Sequence, residues 1–363
     1  MSKRFILSAL CALIIIIAGC QNAGEGGDFN ETASPAPISA PPEEVDNIIG
    51  YVIGDDGDIN SYMSMHGFLK TAENLGYPSR LFRFDEGESA LSAVDEAIDE
   101  GCKGLVIQNA NGENDDAVRA ALSKDVFVVV PYDVCAVEGL NGNVAADNSE
   151  YIEELARGIA ERMKERNLSA GRILVYGTDP APFAPEFERA VLSYYPQYSA
   201  SVFRRTKADE NEAADELAQY LLHNRDVKGL YAIDADGAAI SVLARKRAQD
   251  IFKTFKPEPS ATPDANGNPP SLNDELLNKI SITIFGTNIS EGNLKLFDSN
   301  DISALCIEPY YESAAQSVMM LDKLFKGETV AGTMRINRPI VRTDTVEKYA
   351  ARYEQVKEWF EQP

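Results

Sequence analysis

Two α/β lobes built on parallel sheets are predicted by three features of the sequence. Short apolar runs of strand type alternate with helical patterns along most of the chain, and that alternation implies parallel strands with right-handed crossovers. At 363 residues the chain is too long for one ordinary domain. The two halves also echo each other. Cys102-Lys103-Gly104-Leu105-Val106-Ile107 parallels Val227-Lys228-Gly229-Leu230-Tyr231-Ala232-Ile233; each run follows a helical pattern and ends in a polar loop, QNANGEN in one half and DADG in the other.

The organising stretch is residues 126–133, VFVVVPYD, four valines and a phenylalanine before Pro131. A run with no alternation is a strand buried on both faces, as in the middle of a parallel sheet. Asp133 stands just past its carboxyl end, where open α/β sheets bind ligands.

The N-terminus reads as an export signal. Lys3 and Arg4 precede an apolar run at residues 5–17, too short and wrongly flanked for a spanning helix. Ile17-Ala18-Gly19-Cys20 resembles the bacterial lipobox, which implies cleavage before Cys20 and a diacylglyceryl group on its sulfur. Two acyl chains give stable anchoring to a membrane. Residues 20–46, rich in Gly, Ser, Pro and Glu, cannot bury a core and read as a flexible tether. Of the cysteines that remain, Cys102, Cys135 and Cys306 are odd in number, lack metal spacing and read as free thiols.

In the first half, strands are expected at 48–53, 79–84, 104–107 and 126–130. Helices lie between them: 61–75, with Met65, Phe68, Leu69 and Ala72 on one face; one marked by Leu91, Val94 and Ile98; and 117–122. The polar stretch 134–148 reads as a crossover. In the second half, Ile152, Leu155, Ala156, Ile159 and Met163 mark a helix face. Strands follow at 172–176, 201–204, 229–233, 281–285 and 302–307, with helices around 187–194, 214–222 and 240–251. A second crossover is expected at 308–311, then a helix at 313–325 and a strand near 334–339. A third crossing at 341–345 and a final helix to Trp359 end the chain.

Residues 256–272 form a Pro/Asn-rich insertion. Asp264, Asn266, Asn268 and Glu275 fit a calcium-loop template, but Pro269 stands where a glycine with positive φ is needed, so a solvated loop is preferred. No metal or cofactor is expected.

Several function classes are disfavoured. A net charge of −23 repels nucleic acid. Nucleophile elbows, zinc spacings and Ser/His/Asp arrangements are missing, so an enzyme is not expected. The loop Gly54-Asp55-Asp56-Gly57-Asp58 carries three acids where a phosphate site wants none.

The ordered set of stretches resembles the type I periplasmic-binding-protein family, in particular the ribose- and galactose-binding solute receptors of ABC importers. The likeness runs from residue 47 to 349: residues 49–58 opening on a helix with Gly67, then LGY (75–77), GLVIQ (104–108), VPYD (130–133), Asp147-Asn148, RDVKGLYAIDADGAA (225–239), IFGTN (284–288) and LFKGETV (324–330). The resemblance implies two Rossmann-like, doubly wound lobes joined by a three-stranded hinge and closing on ligand. The boundaries expected are 1–19 signal, 20–46 tether, 47–134 with 309–340 as lobe one, and 135–308 with 341–363 as lobe two. The cleft would hold Asp58, Asn60 and Asp133 from lobe one, the 179–183 loop with Phe183, Asp234 and Asn288 from lobe two, and Glu308 at a hinge. Ionised carboxylates suit polyols, each accepting two hydroxyl hydrogen bonds. Asp133 and Asp234 are expected to grip ligand from opposite lobes and to stabilise neither lobe by themselves.

One departure stands out. Sugar receptors of the family usually place an Arg in the helix after the second lobe's first strand, and GTDPAPFAPEFERA offers none before Arg189. With no Trp in reach, Phe183 or Tyr62 must stack on the ligand. The implied ligand is a sugar or polyol, neutral or amine-bearing. The implied role is a monomeric receptor, lipid-anchored on the extracytoplasmic face, that delivers to an ABC permease; the alternative is a sensor subunit that presents its ligand to a membrane histidine kinase.

Overall fold

The computed structural model describes residues 47–360 apart from Asp56, residues 86–87, Asp147 and residues 255–280. The signal segment, Cys20, the tether and the loop from Asp264 to Glu275 lie outside the described residues.

The first half runs β1 (Ile48–Asp55), α1 (Ile59–Leu75), β2 (Ser79–Asp85), α2 (Leu91–Asp99), β3 (Cys102–Ile107), α3 (Asp115–Leu122), β4 (Phe127–Tyr132) and β5 (Gly142–Ala146). The second runs α4 (Asn148–Glu165), β6 (Gly171–Gly177), α5 (Ala184–Tyr194), β7 (Tyr198–Arg204), α6 (Glu210–His223), β8 (Val227–Ala232), α7 (Gly237–Thr254), β9 (Thr283–Thr287), α8 (Glu291–Asp298) and β10 (Ala304–Cys306). The chain closes with α9 (Tyr310–Phe325), β11 (Thr333–Ile336), β12 (Ile340–Val341) and α10 (Val346–Phe360).

Two six-stranded sheets result, in the orders β2-β1-β3-β4-β5-β11 and β7-β6-β8-β9-β10-β12. Every pairing is parallel except β12 against β10. The orders are the same once each sheet is counted from its own first strand. The echo of the sequence therefore lands on equivalent strands, β3 and β8, each beside the first strand of its sheet. Even the irregularity repeats: the register slips at Ile48/Ile49 in one pair and at Arg172/Ile173 in the other. In β4, Val128 and Val130 pack into the core on one face and Val129 into the core on the other, all fully buried. That is why the valine run shows no alternation.

The chain changes lobes three times: after β5, between β10 and α9, and between β11 and β12. The first change comes later than expected. Residues 142–146 form β5, which pairs with β4 and belongs to the first sheet, so the hand-over from lobe one falls after Ala146 rather than after residue 134. The polar look of the stretch misleads because its carboxamides are consumed internally. Asn143, 1% exposed, donates to the carbonyls of Val130 and Asp133 and accepts from the Cys135 N–H, while Asn141 accepts from the Val128 N–H at 2.7 Å. The third crossing lies at 337–339, before β12, where Pro339 O accepts from the Ile307 N–H at 2.9 Å and ties two hinge segments together.

Helix α10 belongs to neither lobe alone. Tyr349 and Tyr353 pack on the second lobe's core, Val356 and Trp359 on the first lobe's. Phe360 lies on Tyr62 with ring centroids 3.8 Å apart, and Arg352 pairs with Glu312 while covering the Tyr311 ring at 4.2 Å. The expectation that residues 341–363 belong to lobe two is corrected on this point. On the same side, α1 and α9 approach closely because Gly67 has no Cβ, which would run into the Tyr311 carbonyl. Cys102, Cys135 and Cys306 are free thiols. No described helix is long and apolar enough to cross a membrane.

Candidate functional site

At the carboxyl ends of β1, β3 and β4 lies a cavity of about 330 Å³. This is the switch point of the first sheet, where strand order reverses around β1. Asp58 and Asn60 enter it from the start of α1, Gln108 and Asn111 from the loop after β3, and Tyr132 and Asp133 from the end of β4; Tyr310, opening α9, completes the wall. Three of the expected residues, Asp58, Asn60 and Asp133, are thus brought together. The Asn60 amide donates to Asp58 Oδ2 at 2.7 Å. Gln108 is held by the Gly54 N–H, which donates to its Oε1 at 2.9 Å.

Asp133 is half-buried. Burial pushes its carboxyl above the usual carboxylate range; the Asn111 backbone N–H and the Arg338 guanidinium offset part of that push. Its neighbour Tyr132 has φ 72°, and the Asp133 N–H donates to Pro131 O at 2.8 Å, closing a three-residue turn in a region that non-glycine residues rarely adopt. Such backbone persists only where its surroundings over-determine it. Here the Tyr132 N–H donates to Ser313 Oγ at 2.6 Å, its hydroxyl donates to Glu308, and its ring stacks on Tyr310 with centroids 4.6 Å apart and planes 22° apart. Burial and then the Glu308 charge push the Tyr310 hydroxyl up to about 12.

The second lobe offers a cavity of its own of about 300 Å³, walled by Asp179, Phe183, Tyr231, Ile233, Glu308 and Arg338 among others. Phe183 leads into α5, edge-on to Tyr151 at 6.4 Å and tilted against Tyr231 at 5.5 Å. The Tyr151 and Tyr231 hydroxyls are 2.6 Å apart and fix each other. Phe183 therefore supplies an apolar ring to this half. Tyr62 does not: it is 5% exposed in the α1 core, under Trp359 and Phe360, and the stacking surface of the first half is the Tyr132–Tyr310 pair.

The remaining expected residues are committed within the protein. Asp234 accepts from the Thr178 N–H at 2.9 Å and its hydroxyl at 3.0 Å, and lines neither of these two cavities. Asn288, at φ 60°, accepts from the Glu308 N–H at 2.8 Å through Oδ1, while its own N–H donates to Cys306 O at 2.8 Å. It sets the course of the hinge rather than facing either large cavity. Glu308 lies between the half-sites with both oxygens occupied: Oε1 pairs with Arg338 Nη1 at 3.1 Å and Oε2 accepts from Tyr132.

Arg338 is the cation the sequence reading missed. Burial opposes its charge, and the Glu308 carboxylate together with the Tyr132, Tyr151 and Tyr231 hydroxyls outweighs this, so the guanidinium is held above its ordinary value. The sequence placed 334–339 in a strand and looked for a cation only in a helix. The available signal was an Arg between Asn337 and Pro339, two residues that interrupt a strand at the turn into a hinge.

Comparison with known proteins agrees with this geometry. A family model described as periplasmic binding protein domain matches residues 49–329. No curated protein matches the sequence. Among solved structures, the sugar-binding protein of a sugar ABC transporter from Bacillus halodurans is 16% identical with TM-score 0.62, over 84% of this chain and 100% of its own. An arabinose-binding protein from Geobacillus stearothermophilus is 16% identical with TM-score 0.63, over 84% and 99%. A periplasmic ribose ABC transporter protein from Conexibacter woesei is 15% identical with TM-score 0.62, over 84% and 94%. Two equivalent sheets, three hinge crossings and a family match over most of the length lead to one conclusion: the chain belongs to the periplasmic binding protein family.

Proposed function

We propose that the protein is a solute receptor that captures a sugar or related polyol between its two lobes, closes by hinge bending, and hands the ligand to an ABC permease. The observation that carries this is a pair of cavities, one at the carboxyl ends of each sheet. One is rich in carboxylate and carboxamide groups around the Tyr132–Tyr310 stack; the other is aromatic around Phe183 and Tyr231, with Arg338 at the hinge. Carboxylates and carboxamides accept from hydroxyls, and stacked rings take the apolar face of a sugar. The structural likeness to arabinose- and ribose-related proteins supports the same class. Anchoring through Cys20 and membrane location are parts of the proposal that rest on the lipobox-like Ile17-Ala18-Gly19-Cys20 and the tether.

The test is a thermal-shift screen of D-ribose, D-arabinose, D-galactose and D-galactosamine, followed by calorimetry and small-angle scattering. A true ligand raises the melting temperature by mass action and shrinks the radius of gyration. A protein that none of these sugars stabilises is not the receptor proposed.

A further inference from the structure

We infer that Arg338 is the ligand-facing donor of the second half-site, that it donates to a neutral oxygen rather than to an anion, and that Glu308 positions it instead of binding ligand. The inference rests on the sugar-receptor reading above and deepens it.

Arg338 stands on the third crossing, between β11 and β12, and borders the second lobe's cavity with its side chain 18% exposed. A guanidinium offers five N–H donors in one plane. Nη1 meets Glu308 Oε1 at 3.1 Å and Nη2 lies 3.5 Å from the Tyr132 hydroxyl, while Nε is buried and has no hydrogen-bond partner among the described residues. A buried donor left unmade is costly, and the residue that carries this one borders the cavity, so a ligand oxygen that reaches Nε as the lobes close would satisfy it. The plane is fixed in advance: the guanidinium lies over the Tyr151 ring, 5.4 Å from its centroid, and the Glu308 carboxylate holds its end.

Two of the other polar groups expected on this side are already used. Asp234 is bound by Thr178, and both oxygens of Glu308 are taken by Arg338 and Tyr132. Glu308 therefore acts on ligand through Arg338. Because it also accepts from Tyr132, it joins the ring stack of one half-site to the cation of the other.

Charge selects the class of ligand. The positive charge of Arg338 is balanced by Glu308 before any ligand arrives. The first lobe's cavity carries Asp58 and Asp133, and among the described residues no Lys or Arg borders it. A sugar acid would put its carboxylate into a cleft with more acids than bases, whereas the ring or hydroxyl oxygen of a neutral sugar accepts the free N–H without that penalty.

The test is calorimetry on the purified protein with D-ribose, D-arabinose, D-galactose and D-galacturonate, beside ligand-free melts. The wild type is expected to bind a neutral sugar and to bind galacturonate at least about tenfold more weakly than galactose. Arg338→Met should lose about tenfold to a hundredfold in affinity for the neutral sugar. Arg338→Lys should not restore it, because an ammonium lacks the planar fork. Glu308→Gln should lose only several-fold, since an amide oxygen still holds the guanidinium. The double variant Glu308→Gln/Arg338→Met removes both charges at once; its ligand-free melting temperature should return close to wild type while affinity stays down. A double variant that binds as well as wild type overturns the role of Arg338, and a wild type that prefers galacturonate overturns the ligand class. A wild type that binds none of the sugars removes the receptor reading and this inference together.

Discussion

Asp234 grips Thr178 with both carboxylate oxygens, one on the backbone N–H at 2.9 Å and one on the hydroxyl at 3.0 Å. The bond joins the loop after β8 to the loop after β6, on either side of the second sheet's switch point. A residue placed by analogy as a ligand acceptor is thereby a loop tie in the described conformation. Asp234→Ala should lower the ligand-free melting temperature. Two hydrogen bonds to a partly exposed charge are worth about 1–2 kcal/mol together, or a few degrees in a chain of this size. An unchanged ligand-free melt with lost sugar binding would return Asp234 to the ligand site.

Asp133 should behave in the opposite way. Burial raises its carboxyl above the unfolded value, so folding favours the protonated form. The stability tied to this group is complete below the unfolded value of 3.8 and is lost as pH rises through the raised, folded value. Asp133→Asn should therefore melt at the same temperature as wild type or higher at neutral pH, with the gap closing in acid. Its sugar affinity should fall about tenfold or more, because an amide presents one acceptor where the carboxylate presents two. Calorimetric melts across pH, with binding measured at neutral pH, check both halves.

His66 provides a second pH signature on the opposite sign. It sits beside Tyr311 and Trp359, its Nδ1 buried without a hydrogen-bond partner among the described residues. Burial first, then the charges of Lys70 and Arg352, lower its pKa below 6.5. Stability is complete above pH 6.5 and declines as pH falls through the depressed value, because the unfolded chain takes up the proton more readily. His66→Gln should flatten this slope in ligand-free melts below pH 6.5, and an unaltered slope would assign it to other groups.

Gly67 lets α1 pass close to the start of α9. Gly67→Ala would set a Cβ against the Tyr311 carbonyl. Overpacking of this kind costs about 1–3 kcal/mol. The shift passes to Tyr310, the adjacent residue and half of the ring stack, so the variant should lose sugar affinity as well as melting temperature. A stability loss with affinity intact would show that α9 moves without its first residue.

The architecture was legible because parallel α/β folding writes itself locally: Val128, Val129 and Val130 form an unbroken apolar run only because both faces of β4 are covered. The lobe-one half-site was legible for the same reason, since Asp58, Asn60 and Asp133 follow directly from strand ends. What stayed hidden depends on partners distant in sequence. Asn143 reads as a loop residue until its amide is seen bridging Val130 and Asp133. Tyr132 looks like an ordinary strand end; its positive φ is tolerable only with Ser313, far along the chain, beneath it. Arg338 is placed at the second lobe's cavity only by Glu308 and Tyr151, which lie far from it in sequence.

The strands that finish the two sheets, β11 and β12, both come from residues 333–341, and α10 follows them. As a nascent chain emerges, neither sheet can be sealed until nearly the last residues have been made. Until then β5 and β10 are open edges, the kind of surface that recruits other chains. A chain cut before residue 333 therefore does not leave one finished lobe and one damaged lobe. It leaves two unfinished ones, with sticky margins on both, and its expected fate is aggregation or capture by a chaperone rather than one intact lobe.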